Sequence, residues 1–234
     1  MDPADPNTRQ SSTAALRRSL DVYYRDTART ARMDRLNASF VSNGDLAFDI
    51  GAHVGDRTAS FLRLGASVVA LEPQPRVFRA LRLIHGRNQQ AVLRCEAVGA
   101  ERSEIEMYVN SANPTISTAS RALIAAAPGA QEWRGEHWDS TIRVPVTTLD
   151  LLIAEHGVPD FVKIDGEGHE LEVLTGLSTP LKALSFEFTT IQRDVAQACV
   201  ARLCQLGDYA FNISVGEEHQ LRHRASARPR CAML

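Results

Sequence analysis

The stretch Leu46-Ala47-Phe48-Asp49-Ile50-Gly51-Ala52-His53-Val54-Gly55 constrains the fold more than any other part of this chain. A short apolar run ends in an acid, a Gly-x-x-x-Gly turn follows, and Asp56 to Leu64 carries helix-compatible residues up to Gly65. The pattern predicts a strand, a tight turn and a helix. Gly51 lets the backbone turn without a Cβ clash, Gly55 admits the close approach of a ligand or a helix, and the helix start offers unpaired N–H groups. Glu72 closes the next apolar run, Ser67 to Leu71, 21 positions after Gly51. In a nucleotide-binding βαβ unit a carboxylate at that point accepts hydrogen bonds from two ribose hydroxyls.

The spacing of the turn narrows the ligand. A dinucleotide site usually carries Gly-x-Gly-x-x-Gly, so that a pyrophosphate lies on the helix N-terminus. Here the middle glycine is absent and Asp49 precedes the turn. The pattern instead resembles the first motif of methyltransferases that use S-adenosylmethionine, a cofactor with a cationic sulfonium and an amino group in place of phosphates. An acid beside the turn suits such a ligand.

The rest of the chain repeats the alternation of strand and helix. Val77, Phe78, Leu81 and Ile84 form a helix stripe after Pro73 and Pro75, and Ala91 to Val98 reads as a third strand. Glu104 to Val109 and Arg143 to Thr148 have strand character, Leu149 to His156 reads as a helix closed by Gly157, and Phe161 to Asp165 reads as a buried strand. Leu171 to Thr175 and Asp194 to Leu206 read as helices, Ala183 to Thr189 as a strand containing Glu187, and Tyr209 to Val215 with Gln220 to His223 as a terminal hairpin. Strands alternating with helices of this length predict a doubly wound, mostly parallel α/β sheet, with ligands at the carboxyl ends of the strands. Asp49, Glu72 and Glu96 are expected to converge there.

Two flanks and one long connection remain. Residues 1–12 are expected as a mobile tail, and 13–40 as one or two helices whose arginines form a solvated face. Residues 110–141 lose periodicity and read as a lid or loop, whose Trp133, His137 and Trp138 either wall a pocket or pin the loop to the core. The main domain is expected over 41–223, followed by a basic tail at 224–234.

A chain of 234 residues with 44% hydrophobic and 23% charged composition suits one soluble domain, and a net charge of −2 gives no general reason to expect nucleic acid or an anionic membrane as a partner. Cys95, Cys199, Cys204 and Cys231 form no Cys-x-x-Cys pair and are read as reduced thiols. With no apolar leader and no run long enough for a membrane span, the protein is expected to be cytoplasmic. The terminal Cys231-Ala232-Met233-Leu234 formally matches a prenylation box, a pattern short enough to be met by accident, and the accidental match is the preferred reading.

Three segments in order, Gly44 to Gly55, Leu71-Glu72-Pro73, and Val162-Lys163-Ile164-Asp165-Gly166-Glu167-Gly168 with Glu170, resemble the FkbM family of methyltransferases over about residues 41–215. The resemblance implies a class I methyltransferase fold: a seven-stranded sheet whose last hairpin is antiparallel. It also implies S-adenosylmethionine as cofactor and O-methylation of a hydroxyl on a sugar or secondary metabolite. Carried over, Asp49, Gly51, Ala52, His53 and Gly55 border the methionine half, Glu72 holds the ribose and Glu96 lies by the adenine. Gly166 and His169 depart from the apolar or small residues expected in the Asp-x-Glu-Gly-x-Glu motif. Asp165, Glu167 and His169 are the candidates for orienting and deprotonating the acceptor. No metal is assigned to them, since no regular spacing fixes a coordination geometry. An NAD-dependent oxidoreductase and a non-catalytic cofactor-binding module are the alternatives.

Overall fold

A computed structural model describes residues 6–223. The first five residues of the expected N-terminal tail, the basic tail at 224–234 and the Cys231 box lie outside them. Helix α1 already begins in the expected tail, spanning Pro6–Arg25, and α2 spans Thr27–Asn37 with the Asp26 side chain capping the Arg29 N–H at 2.9 Å.

Strand β1 (Leu46–Ile50), helix α3 (Asp56–Arg63) and strand β2 (Ser67–Leu71) form the opening βαβ unit, followed by α4 (Pro75–His85) and β3 (Ala91–Arg94). After β4 (Ala97–Val98) and β5 (Ser103–Val109) come α5 (Arg121–Ala126), β6 (Ser140–Thr147) and α6 (Leu149–His156). The chain then makes β7 (Phe161–Ile164), α7 (Glu170–Thr175), β8 (Leu184–Phe186) and α8 (Arg193–Leu206).

The main sheet has the order β3-β2-β1-β7-β8 with every pairing parallel. Its strands are apolar on both sides because both faces are covered. Phe48, Ile50, Val69, Leu71, Val162 and Ile164 pack against Leu149 and Leu152 of α6, Leu174 of α7 and Leu203 of α8. The intervening Ala47, Val68, Ala70 and Phe161 face the other way, against Phe61 of α3 and Leu81 of α4. Strand alternation thus feeds two cores, each fully buried large side chain contributing about 1.5–3 kcal/mol.

Three expectations need correction here. Ala91 to Val98 is not one strand: β3 ends at Arg94, which ion-pairs with Glu96 and, at 2.5 Å, with Glu155, and the chain then crosses to a second sheet of order β4-β6-β5. The terminal hairpin does not form as strands either. Arg222 N–H reaches Ile213 O at 2.9 Å, but Ile213, Val215 and Leu221 stay exposed without a sheet to pack on, so among the described residues the main sheet ends at β8. Cys95 and Cys199 are free, whereas Cys204 is disulfide-bonded, against the reading of reduced thiols throughout.

Candidate active site

The carboxyl ends of β1, β2, β7 and β8 open onto one cleft, also walled by Tyr23 and Arg29 from the N-terminal helices and by Pro114, Thr115, Ser117 and Ala119 from the long connection. Gly51 sits at the base with φ +73°, where a Cβ would overlap the Asp165 carbonyl oxygen. The turn after β1 therefore rests directly on the end of β7. Gly51→Ala combines a strained φ with a backbone overlap and should cost at least about 2 kcal/mol, seen as a Tm lowered by about 4–8 °C; an unchanged Tm would show that the turn adapts.

Gly55, at φ +86°, is needed for a different contact: a Cβ there would come within 2.5 Å of Leu81 Cδ1 and 2.6 Å of the His85 ring. It admits α4 and does not wall the cleft. Asp49 is likewise not on the wall. It is fully buried, accepts a 2.6 Å bond from Thr58 at the start of α3 and lies 4.0 Å from Lys163 Nζ. Burial raises its pKa, opposed by Lys163 and Thr58.

Glu72 is on the wall and only 3% exposed. Its two oxygens each accept one backbone N–H, from His53 at 3.0 Å and from Gln74 at 2.8 Å. A carboxylate has about four lone-pair sites, so two remain for a ligand. Burial pushes its pKa up to about 7 despite those two bonds. His53 itself has φ +51°, and both ring nitrogens are buried with no hydrogen-bond partner among the described residues. Burial lowers its pKa to about 4, so the ring is neutral near pH 7. Ala52 and Glu96 complete this end of the cleft, Glu96 being held by Arg94.

At the other end, Asp165 Oδ2 accepts a 2.9 Å bond from Lys163 Nζ, which also donates to Gly51 O at 3.3 Å. Burial opposes the Lys163 charge, but Asp165, Glu187 and Asp49 more than offset it and hold the ammonium above its ordinary range. Glu167 has φ +49°; burial, and then the charges of Asp165, Glu187 and Glu170, raise its pKa well above the usual carboxylate range. His169 also lines the cleft, its pKa lowered by burial. Glu170 does not. Its Oε1 accepts the N–H groups of Gly166 at 2.9 Å and Gly168 at 3.2 Å and so shapes the loop that presents Asp165 and Glu167.

Several wall residues had not been assigned from the sequence. Glu187 was read inside a strand, but β8 stops at Phe186, which leaves Glu187 at the strand's carboxyl end in the cleft, where the Asp165 charge above all pushes it up to about 7. Lys163 carried a signal, a lone cation in an apolar run. Arg29 belongs to no solvated face: it is 4% exposed, pairs with Asp56 at 2.8 Å and Glu217 at 2.6 Å, and stands 4.9 Å over the Tyr23 ring. Trp133 and Trp138 stack on each other and do not wall the cleft, and the Trp138 N–H donates to Ile116 O at 2.9 Å, which pins the loop.

Among the described residues no group of three or more His, Cys, Asp or Glu is arranged to hold a metal ion, and no helix is long and apolar enough to cross a membrane.

A glycine turn and carboxylates at successive strand ends, on a doubly wound α/β sheet, place the cleft where open α/β sheets bind their ligands. Residues 49–208 match the Methyltransferase FkbM domain, and the chain belongs to that family. Over 174 residues it is 27% identical to the hexuronic acid methyltransferase AglP of Haloferax volcanii, a match covering 72% of this chain and 65% of that protein's length. Two solved structures share its outline weakly. The precorrin-6y C5,15-methyltransferase of Geobacter metallireducens gives a TM-score of 0.43 at 15% identity, over 76% of this chain and 69% of that one. The precorrin 8w decarboxylase of Methanobacterium thermoautotrophicum gives 0.40 at 14% identity, over 73% and 69%.

Proposed function

We propose that this chain is an S-adenosylmethionine-dependent O-methyltransferase acting on a hydroxyl of a sugar or secondary metabolite. The observation that carries the reading is Glu72: a buried carboxylate, anchored by two backbone N–H groups, with two lone-pair sites left toward the cleft. Gly51, Ala52, His53 and Glu96 would hold the rest of the cofactor beside it. The turn after β1 agrees, since it lacks the middle glycine over which a pyrophosphate would lie at the start of α3. The name of the AglP relative favours a sugar among the acceptors.

S-adenosylmethionine, when bound, supplies a methyl carbon activated by positive sulfur. The chain's task is then to align the acceptor oxygen and take up its proton, alignment providing effective molarities up to about 10⁵–10⁸ M. Asp165 is the group for the proton: it lines the cleft, Lys163 fixes Oδ2, and Oδ1 makes no hydrogen bond among the described residues. His169, neutral through burial, shares the proton, and Glu167 shapes the pocket between them.

The raised pKa of Glu72 supplies a test. Because its pKa in the folded protein, about 7, lies above the ordinary value of 4.5, the acceptor-only anion forms only as pH rises through about 7, whereas apo stability falls between the two values and levels off above the upper one. S-adenosylmethionine affinity should therefore increase by up to about tenfold between pH 6 and pH 8, as read by calorimetry. A flat profile would contradict ribose recognition by an ionised Glu72.

A further inference from the structure

Between Glu72 and Glu96 the chain carries five arginines and no acidic residue, in a protein whose formal charge is −2. Helix α4 runs through this stretch and buries Val77, Ala80, Leu81 and His85, which turns Arg79, Arg82, Leu83 and Ile84 outward; Arg87 is exposed in the turn beyond. Leu83 is 82% exposed, the most of any large hydrophobic side chain among the described residues, and Ile84 is 41% exposed. An isolated exposed leucine is ordinary. Two adjacent aliphatics on a helix face bordered by three arginines with no ion pair among the described residues are not. The arginines of the cleft wall, by contrast, all face carboxylates.

We infer that this face of α4 docks the protein on an anionic lipid surface. The guanidinium groups meet the headgroup phosphates while their apolar stems, with Leu83 and Ile84, enter the boundary with the acyl chains. Each arginine near such a surface strengthens the partition by about fivefold. Other occupants satisfy only half of the face. A nucleic acid backbone would use the arginines and leave Leu83 and Ile84 in water. A second copy packed face to face would bring like charges together. The inference is independent of the methyl-transfer reading, since none of these residues lines the cleft.

The experiment is co-sedimentation of the full chain with vesicles of phosphatidylcholine alone, and of phosphatidylcholine with about one third phosphatidylglycerol, at low and at physiological salt. Binding is expected only to the anionic vesicles and should weaken as salt rises. Arg79→Gln with Arg82→Gln should weaken it by about 25-fold, and Leu83→Ser by severalfold with the salt dependence retained. Both variants should keep the wild-type Tm and S-adenosylmethionine affinity, which separates a lost docking face from a lost fold. Equal binding to both vesicles would overturn the inference, as would wild-type binding by the variants. So would tighter binding to duplex DNA than to anionic vesicles, or a dimer in sedimentation that Leu83→Ser dissociates.

Discussion

Replacing Asp165 by asparagine is expected to lower turnover by at least about 100-fold, or about 2.7 kcal/mol in the barrier, with S-adenosylmethionine affinity nearly unchanged. The substitution keeps the shape of the side chain and removes the anion, so it removes proton uptake and leaves the backbone contact between Asp165 and the Gly51 turn in place. Lys163 loses its nearest counter-charge but keeps Asp49 at 4.0 Å and the Gly51 carbonyl at 3.3 Å. Some fall in Tm is therefore expected, and the folded protein should still bind cofactor. The same change relieves Glu187, whose elevated pKa is due first to the Asp165 charge, so a titration of Glu187 should move down toward the ordinary carboxylate value. Once an acceptor is in hand, full turnover by the Asp165→Asn variant would remove Asp165 from the proton path.

The second large effect is on the cofactor. Glu72→Ala deletes a carboxylate that meets the ligand through charge-assisted hydrogen bonds, each worth about 1.5–3 kcal/mol, and should weaken S-adenosylmethionine binding by about 10- to 150-fold. Apo stability moves less, because two opposite changes accompany the deletion: the His53 and Gln74 N–H groups lose their acceptor, and a costly buried charge disappears. Calorimetry on variant and wild type at pH 8 reads the difference. Equal affinities would place the ribose elsewhere.

Much of this framework is legible in the sequence because parallel strands covered on both faces read as continuous apolar runs, and runs ending in an acid mark the functional edge of the sheet. Leu46 to Ile50, Ser67 to Leu71 and Phe161 to Ile164 are such runs, and Gly51 and Gly55 fall at backbone positions with φ above +70°. What the local pattern hides is partnership across the chain. The acid of Asp49 is readable, but its burial beneath the turn against Thr58 is not. Arg29 looks like one more arginine on a solvated helix until Asp56 and Glu217, 27 and 188 positions away, close around it. The break between β3 and β4 depends on Glu155 and on pairing with β6, both distant in sequence. Even Glu187 is misread for this reason, since only the end of the edge strand separates a side chain inside the sheet from one in the cleft.

The most direct test of the cofactor assignment is a calorimetric titration of the full chain with S-adenosylmethionine and, separately, with NAD. Saturable binding of S-adenosylmethionine with no detectable NAD binding is the expected result, because the turn after β1 lacks the Gly-x-Gly-x-x-Gly pattern that seats a pyrophosphate. Binding of NAD in preference to S-adenosylmethionine would contradict it.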